Sequence, residues 1–142
     1  MSTHLDVNPV QPDAVAACIT WLRDKLTDVP DEQIKIDLRG YEQGDTWITV
    51  SNPAGGYTPR ANFMTVTRVD INVYAPTKLA AHQLARTAIA RLLDMWGHEF
   101  SDGVVGAVKV SVAPCDQTDQ LSQSPRYTAE VFVYMRPLRT NE

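Results

Sequence analysis

The sequence predicts a single α+β domain in which two helices pack on one face of a mainly antiparallel sheet of four to five strands. Three observations predict this fold class. The chain has 142 residues, which is the size of one domain. Apolar residues recur at helical spacing in two segments, and they alternate with polar residues in several others. The resulting order of elements is α-β-β-β-α-β-β over residues 12–137, between a flexible N-terminal tail (1–11) and a C-terminal tail (138–142).

The first helix is predicted to begin at Pro12, because a proline suits the first helical position, and Asp13 complements the helix dipole there. The helix is predicted to end at Val29, since the residue before Pro30 avoids the α region. The apolar residues between these points fall on one stripe at helical spacing: Val15, Cys18, Ile19, Leu22 and Leu26.

Three strands are predicted next. Alternating aliphatic residues predict a strand over residues 34–38, and β-branched residues with Trp47 predict another over 46–51. Residues 52–60 hold two prolines and two glycines, which predicts a loop, because these residues do not fit a central strand. The strongest strand pattern covers residues 65–75. Its odd positions are predicted to face the core, and its even positions, Asp70 among them, to face the other way.

The second helix is predicted to begin at Pro76 and to carry its apolar residues, including Trp96, on one face, with Gly97 placed to end it. Two further strands complete the sheet, over residues 104–113 and 127–136, with a polar loop between them. In the first of these strands, Val108, Val110 and Val112 alternate with polar residues and are predicted to share a face.

Composition disfavours several classes of function. The chain carries 13 Lys+Arg and 17 Asp+Glu, a formal net charge of −4. A tight nucleic-acid binder is therefore not expected, since such proteins present a basic surface. The whole acidic excess lies in residues 28–45, which hold six acids and two bases; such a run is typical of a solvated loop or of a face that repels a polyanion. No membrane partner is expected, because no apolar run is long enough to span a bilayer.

No group of residues in the sequence matches a catalytic or metal-binding pattern. The three histidines lack the spacing of a metal pair, and the two cysteines, Cys18 and Cys115, are far apart and predicted to be free thiols. Asp70, close to Arg68, could act as a general base; a charge in this position is more often paired across strands or faces a neighbouring subunit. We expect neither a cofactor nor an enzymatic activity.

Aromatic residues give the strongest indication of a binding surface. Five of them surround the second and third predicted strands and the loop between them: Tyr41, Trp47, Tyr57, Phe63 and Tyr74. About half are predicted to belong to the core, and the rest, with Arg60, to contact a partner, because Tyr, Trp and Arg are preferred at interface centres. The loop is also longer than a hairpin needs, which is typical of functional loops.

The order of elements and several short phrases resemble the tail terminator (tail-completion) proteins of long-tailed, siphovirus-like bacteriophages. Residues 69–76 form a hydrophobic strand that runs directly into an alanine-rich helix at 79–86. Residues 124–127 then lead into the final strand at 131–136, and the opening helix and the Pro/Gly loop also fit. The resemblance covers about residues 12–137 and rests on element order rather than on one diagnostic motif.

The resemblance implies a structural virion protein. It would form a homohexameric ring that caps the tail tube, ends polymerisation of the tube and offers a surface for head–tail joining. Its partners would be the major tail-tube protein and a head–tail connector or stopper protein. Genomic DNA would pass through the channel without tight binding, and assembly would take place in the host cytoplasm. The loops at 52–62 and 116–125 are predicted to serve the two axial faces, with these partner-binding residues: Tyr57, Arg60, Phe63, Asp116, Asp119 and Gln120.

Two other functions stay open. The chain could instead be a connector or stopper in the neck, which would bind the head–tail junction without arresting tube growth. It could also be a small α+β enzyme or ligand-binding module. That function would require a concave pocket in which polar groups such as Asp70, Arg68 and His82 converge.

Overall fold

The computed structural model describes residues 10–53, 56–60, 64–119 and 124–138. Helix α1 spans Ala14–Lys25 and helix α2 spans Lys78–Leu93, and a short 3₁₀ turn covers Asp31–Gln33. The strands are β1 (Ile34–Lys35), β2 (Trp47–Ser51), β3 (Gly56–Arg60), β4 (Met64–Tyr74), β5 (Gly103–Asp116) and β6 (Arg126–Pro137).

The strands form one mixed sheet. Five of them lie in the order β1-β2-β4-β6-β5, and β3 pairs with β4 beside this path. Strands β2 and β3 follow each other along the same side of β4: β2 pairs with its second half and β3 with its first half. Every pairing is antiparallel except that of β1 with β2, which is parallel. The predicted single α+β domain with a mainly antiparallel sheet is therefore confirmed.

Both ends of helix α1 are fixed by polar contacts. Asp13 caps its first turn, where the carboxylate accepts a hydrogen bond from the Ala16 amide at 3.0 Å. The Asp13 amide in turn donates to the carboxylate of Asp102 at 2.9 Å, which attaches the start of the helix to the start of β5. At the other end, Arg23 Nε donates to the Ile34 carbonyl at 3.0 Å and attaches the helix to β1.

Helix α2 runs antiparallel to β5 along its length. At its start, Thr77 caps the helix and Lys78 Nζ lies 3.2 Å from Asp116 Oδ2, at the end of β5. Past its other end, the Gly97 amide donates to the Val105 carbonyl near the start of β5, at 2.8 Å. Gly97 has a φ of 83°, the left-handed conformation predicted for it, but it does not end the helix: α2 ends at Leu93 with Asp94 as its C-cap, and Gly97 turns the chain toward β5.

The core lies between the two helices and one face of the sheet. In the central pair of strands, Val69 lies opposite Val131 and Ile71 lies opposite Ala129, and all four are buried. Full burial of a valine or isoleucine side chain contributes about 1.5–3 kcal/mol. The largest fully buried side chains are Leu22, Ile34, Ile48, Ile71, Leu92, Met95, Met135, Val50, Val69, Val73, Val105 and Val131.

Several predicted boundaries were wrong. Helix α1, predicted to begin at Pro12 and to end at Val29, spans Ala14–Lys25, and helix α2, predicted to begin at Pro76, begins at Lys78.

The strand predicted over residues 34–38 ends at Lys35, and Ile36 is 62% exposed, because only two residues pair with β2. Residues 56–60, predicted as loop, form strand β3. Pro59 is tolerated there because it falls where the register of the β3–β4 pair shifts, away from the central ladder.

Two predicted buried faces were also partly wrong. Trp96 is 70% exposed because the helix ends at Leu93, so that Trp96 lies in the turn over residues 94–97 and outside the helical period. Val110 and Val112 do not share one face of the sheet. Val110 pairs with Val131, but a register shift places Val112 opposite Glu130, and both valines are exposed.

Among the helices of the described ranges, none is both long and apolar enough to cross a membrane.

The two cysteines are free, as predicted, but their thiols lie in different surroundings. Cys18 is fully buried in α1, and burial, with a smaller contribution from the charge of Asp13, raises the pKa of its thiol to about 12. Cys115 is only partly buried, and its thiol lies 3.6 Å from the Thr128 carbonyl.

This difference predicts selective thiol labelling. In the folded protein at pH 8, Cys115 is expected to react with an aromatic disulfide reagent and Cys18 to stay unmodified, because Cys18 is inaccessible and protonated. The number of labelled thiols per chain, measured by mass spectrometry, should be one in buffer and two in urea. The variant Cys115→Ser should label only in urea; rapid native labelling of this variant would contradict the buried position of Cys18.

Candidate interaction surfaces

The sheet has one face that no described helix covers, called here the open face. Both helices pack on the face that carries Val69 and Val131, so the alternate residues of the same strands point away from the helices. The open face of the central strands comprises Val66, Arg68, Asp70, Asn72 and Tyr74 of β4, with Arg126, Thr128, Glu130, Phe132, Tyr134 and Arg136 of β6. Most of these residues are partly buried by their neighbours on the strands.

Charged residues at the centre of the open face pair with one another. Asp70 and Glu130 lie directly opposite each other, and Arg68 Nε lies 3.3 Å from Asp70 Oδ1 and 2.8 Å from Glu130 Oε1. Ser111 on β5 donates to the other oxygen of Glu130 at 2.7 Å. The guanidinium therefore separates two carboxylates that would otherwise repel each other. Asp70 was predicted to pair across strands, and this was wrong: its ionic partner is Arg68 of its own strand, and the ion pair across strands joins Arg68 to Glu130.

Aromatic rings flank this charged centre. Phe132 and Tyr134 on β6 are partly buried, and Lys109 Nζ lies 5.3 Å from the centre of the Tyr134 ring, within cation–π distance. Aromatic side chains beside a paired arginine are the composition preferred at the centres of protein interfaces. The sequence pattern did not lead to the prediction that Glu130, Phe132 and Tyr134 form a binding surface. They nevertheless occupy alternate positions of a strand whose other positions are aliphatic.

His82 does not join these groups. Its ring stacks on Tyr127, with 4.9 Å between the ring centres, and Tyr127 lies on the helix-covered face of β6. Arg68 and Asp70 lie on the opposite face, so the three polar residues that an enzymatic pocket would require do not converge. Among the described residues, no group of three or more His, Cys, Asp or Glu side chains is arranged to hold a metal ion.

A small cleft lies at the end of the sheet where the polar loop meets the loop after β1. It has a volume of about 240 Å³ and is lined by Leu38, Tyr41, Tyr74, Asp119, Ser124 and Arg126. The Tyr41 ring packs on Trp47 and Tyr74, with 5.9 Å and 5.2 Å between ring centres. The Tyr41 hydroxyl is buried and has no hydrogen-bond partner among the described residues. The cleft is below the usual size of a small-molecule pocket.

The predicted partner-binding residues fall at two ends of the sheet. Tyr57 and Arg60 lie on β3, paired with the first residues of β4. Asp119 lies in the polar loop at the other end and lines the cleft. The positions of Phe63 and Gln120 lie outside the described residues, so these two stay predictions.

Asp116, predicted to bind a partner, already holds its own loop in place. One carboxylate oxygen accepts hydrogen bonds from the Thr118 hydroxyl at 2.6 Å and amide at 2.9 Å, and the other lies 3.2 Å from Lys78 Nζ. These contacts, those of Thr118 first, lower the pKa of Asp116 to about 2. The carboxylate thus connects the polar loop to the start of α2.

No family model matches this chain, and no curated sequence matches it significantly.

Removing the arginine of the open face should destabilise the fold. We expect Arg68→Ala to lower the free energy of unfolding by about 1 kcal/mol, because it leaves Asp70 and Glu130 opposed without a counter-charge. Urea denaturation followed by circular dichroism measures this loss. Adding Asp70→Asn to the same variant should recover part of it. Equal urea midpoints for the wild type and Arg68→Ala would contradict the role of the network.

The effect of Asp116→Asn should depend on pH. Because the folded-state pKa of Asp116 lies below its ordinary value of 3.8, ionised Asp116 stabilises the fold above that value, and this contribution is lost as pH falls toward about 2. The variant should therefore be less stable than the wild type at pH 6, and the gap should close by pH 2. Urea denaturation at several pH values measures the gap; a gap independent of pH would contradict the ionic role of Asp116.

Proposed function

We propose that this chain is a structural virion protein that forms a ring on the end of a phage tail tube, ends polymerisation of the tube and offers a surface for joining to the head. The observation that carries the proposal is the position of the two segments predicted to bind partners, strand β3 and the polar loop after β5. They lie at opposite ends of one long pair of strands, where a protein that joins two partners along an axis needs them.

The register of the central strands fixes this separation. The β3–β4 hairpin, with Tyr57 and Arg60, lies at the end of the β4–β6 pair where Thr65 pairs with Met135. The polar loop begins at the other end, where Asp116 pairs with Tyr127. Between these points β4 is continuous, and a rise of about 3.3 Å per residue places the two ends about 30 Å apart. The strand direction would then run from the tube toward the neck.

The open face supports a role in assembly over a role in small-molecule binding. It presents aromatic rings beside a neutralised charge network, and no described helix covers it. The cleft near Tyr41 is small, and a wider depression of about 530 Å³ on the surface of α2 is lined by Gln83, Arg86, Thr87, Ala90 and Arg91, without a histidine or an acid. The polar residues expected of an enzyme lie on different faces of the sheet. The order of elements, which carried the resemblance to tail terminators, also agrees with the fold apart from β3.

Arrest of tube growth tests the proposal. When the chain is added to polymerising tail-tube protein of the same virus, we expect electron microscopy to show shorter tubes, each with a ring at one end. A protein of the neck, the alternative, would bind the connector and leave tube length unchanged. Unchanged tube length with no ring on the tubes would contradict the proposal.

Substitutions at the two ends of the sheet should affect tube length differently in this assay. Tyr57→Ala with Arg60→Ala should weaken capping and lengthen the tubes, because both residues lie at the predicted tube end of the sheet. Asp119→Ala, at the opposite end, is the matched control and should leave tube length unchanged. Circular dichroism should show native spectra for both variants. Tubes of wild-type length with both variants would remove these loops from the capping contact.

A further inference from the structure

The two edges of the sheet, at β1 and at β5, carry surfaces of different composition. One is the β1 end, residues 28–45. The β1 end exposes the aliphatic side chains of Ile36 and Leu38, which follow strand β1. Five of its six acids are exposed: Asp28, Asp31, Glu32, Asp37 and Glu42. Six acids against two bases give this end a formal charge of −4.

The other lateral surface is the α2–β5 end, formed by helix α2 and the edge strand β5. The edge strand exposes Val110 and Val112. Leu79, Arg86 and Leu93 recur every seven residues along α2, so they share one side of the helix, and all three are exposed, Leu79 at 66%.

This side of α2 faces away from α1. The indole N–H of Trp21 on α1 donates to the Arg91 carbonyl, which marks the side where the helices meet. With 3.6 residues per turn, Leu79, Arg86 and Leu93 lie well around the helix from Arg91. They are therefore accessible beside β5, along which α2 runs.

The charge of the α2–β5 end is opposite to that of the β1 end. Helix α2 contains three bases, Lys78, Arg86 and Arg91, and no acid. Lys78 and Arg91 pair with Asp116 and Asp94, but Arg86 forms no ion pair with any described residue. Lys109 on β5 is likewise exposed and without an ionic partner in the described ranges, and it lies where this end meets the open face, with its Nζ over the Tyr134 ring.

We propose that the β1 end of one copy of this chain binds the α2–β5 end of the next copy. Each end offers exposed aliphatic side chains, and their charges are complementary. Two β1 ends would repel each other, so the contact joins unlike surfaces. Such a head-to-tail contact generates rings when its rotation closes. This inference rests on the proposed ring and identifies the surfaces that build it.

Side chains, rather than a continued sheet, make this contact. Strand β1 has only two residues, too few to extend a ladder. The β5–β6 pairing shifts register three times, and Pro114 lacks an amide to donate. Bulges and prolines on an edge strand are devices that prevent uncontrolled strand addition. The contact can therefore be broken and restored by exchanging charges.

Charge exchange between the ends tests the interface. In variant A, Arg86→Glu and Lys109→Glu reverse the two charges of the α2–β5 end that have no ionic partner among the described residues; in variant B, Asp28→Lys, Asp31→Lys and Glu32→Lys leave the β1 end with three acids and five bases, a formal charge of +2. Each should self-associate roughly tenfold or more weakly than the wild type in sedimentation velocity, because its two ends now carry like charges. Arg136→Glu, on the open face, is the control and should assemble as the wild type does.

Two combinations should restore assembly. A mixture of A and B should form rings in which the two variants alternate, since every contact again joins opposite charges. A single chain with all five substitutions should also form rings, because its two ends again carry opposite charges. Rings that persist in A and B alone, or no recovery in either combination, would overturn this interface.

The outcomes separate this interface from the proposed function. Wild-type rings that survive in both single variants overturn the interface and leave tube capping standing. Charge-dependent rings that leave tube length unchanged support the interface and contradict tube capping. A wild-type chain that stays monomeric at every concentration, with and without tubes, contradicts both.

Discussion

The pairing of β4 with β6 is the constraint on which the rest of the structure depends. Ten consecutive residue pairs lie in one register, from Thr65 opposite Met135 to Tyr74 opposite Arg126. Because side chains alternate, this register sends Val69 and Val131 to the helices and Arg68 and Glu130 to the open face. A slip of one residue in one strand would exchange its two sets and bury charge in the core. The same pair of strands also sets the distance between the hairpin and the polar loop.

Because the helices pack on one side of the sheet only, the polar side chains on the other side form their hydrogen bonds and ion pairs with one another. Arg68 does this for two carboxylates, and Thr128 donates to the side chain of Asn72 at 2.8 Å. The loop after β1 covers only the part of this face around Trp47 and Tyr74. The outcome is a domain with one closed side, one open face and two unlike lateral ends. Such a shape suits a subunit that is completed by its neighbours.

The sequence predicted the elements whose side chains follow a simple period. Both helices and the buried face of β4 were predictable because the apolar residues of each recur every three to four or every two positions. The positions of Trp96 and Val112 were not predictable, because the helix ends at Leu93, before Trp96, and a bulge shifts the strand period before Val112. β3 was missed because Pro59 and the nearby glycines resemble a loop. The open face could be predicted only in part, since Arg68 and Glu130 are 62 residues apart and meet through the strand register. The local role of Asp116 likewise depends on where α2 places Lys78.

The central claim is that this small domain acts by joining copies of itself through unlike surfaces. Native mass spectrometry of the wild-type chain tests it most directly, because the mass gives the number of copies in each particle. The account predicts a closed particle of six copies. A dimer of two copies as the largest species, which a contact between like surfaces produces, would contradict it.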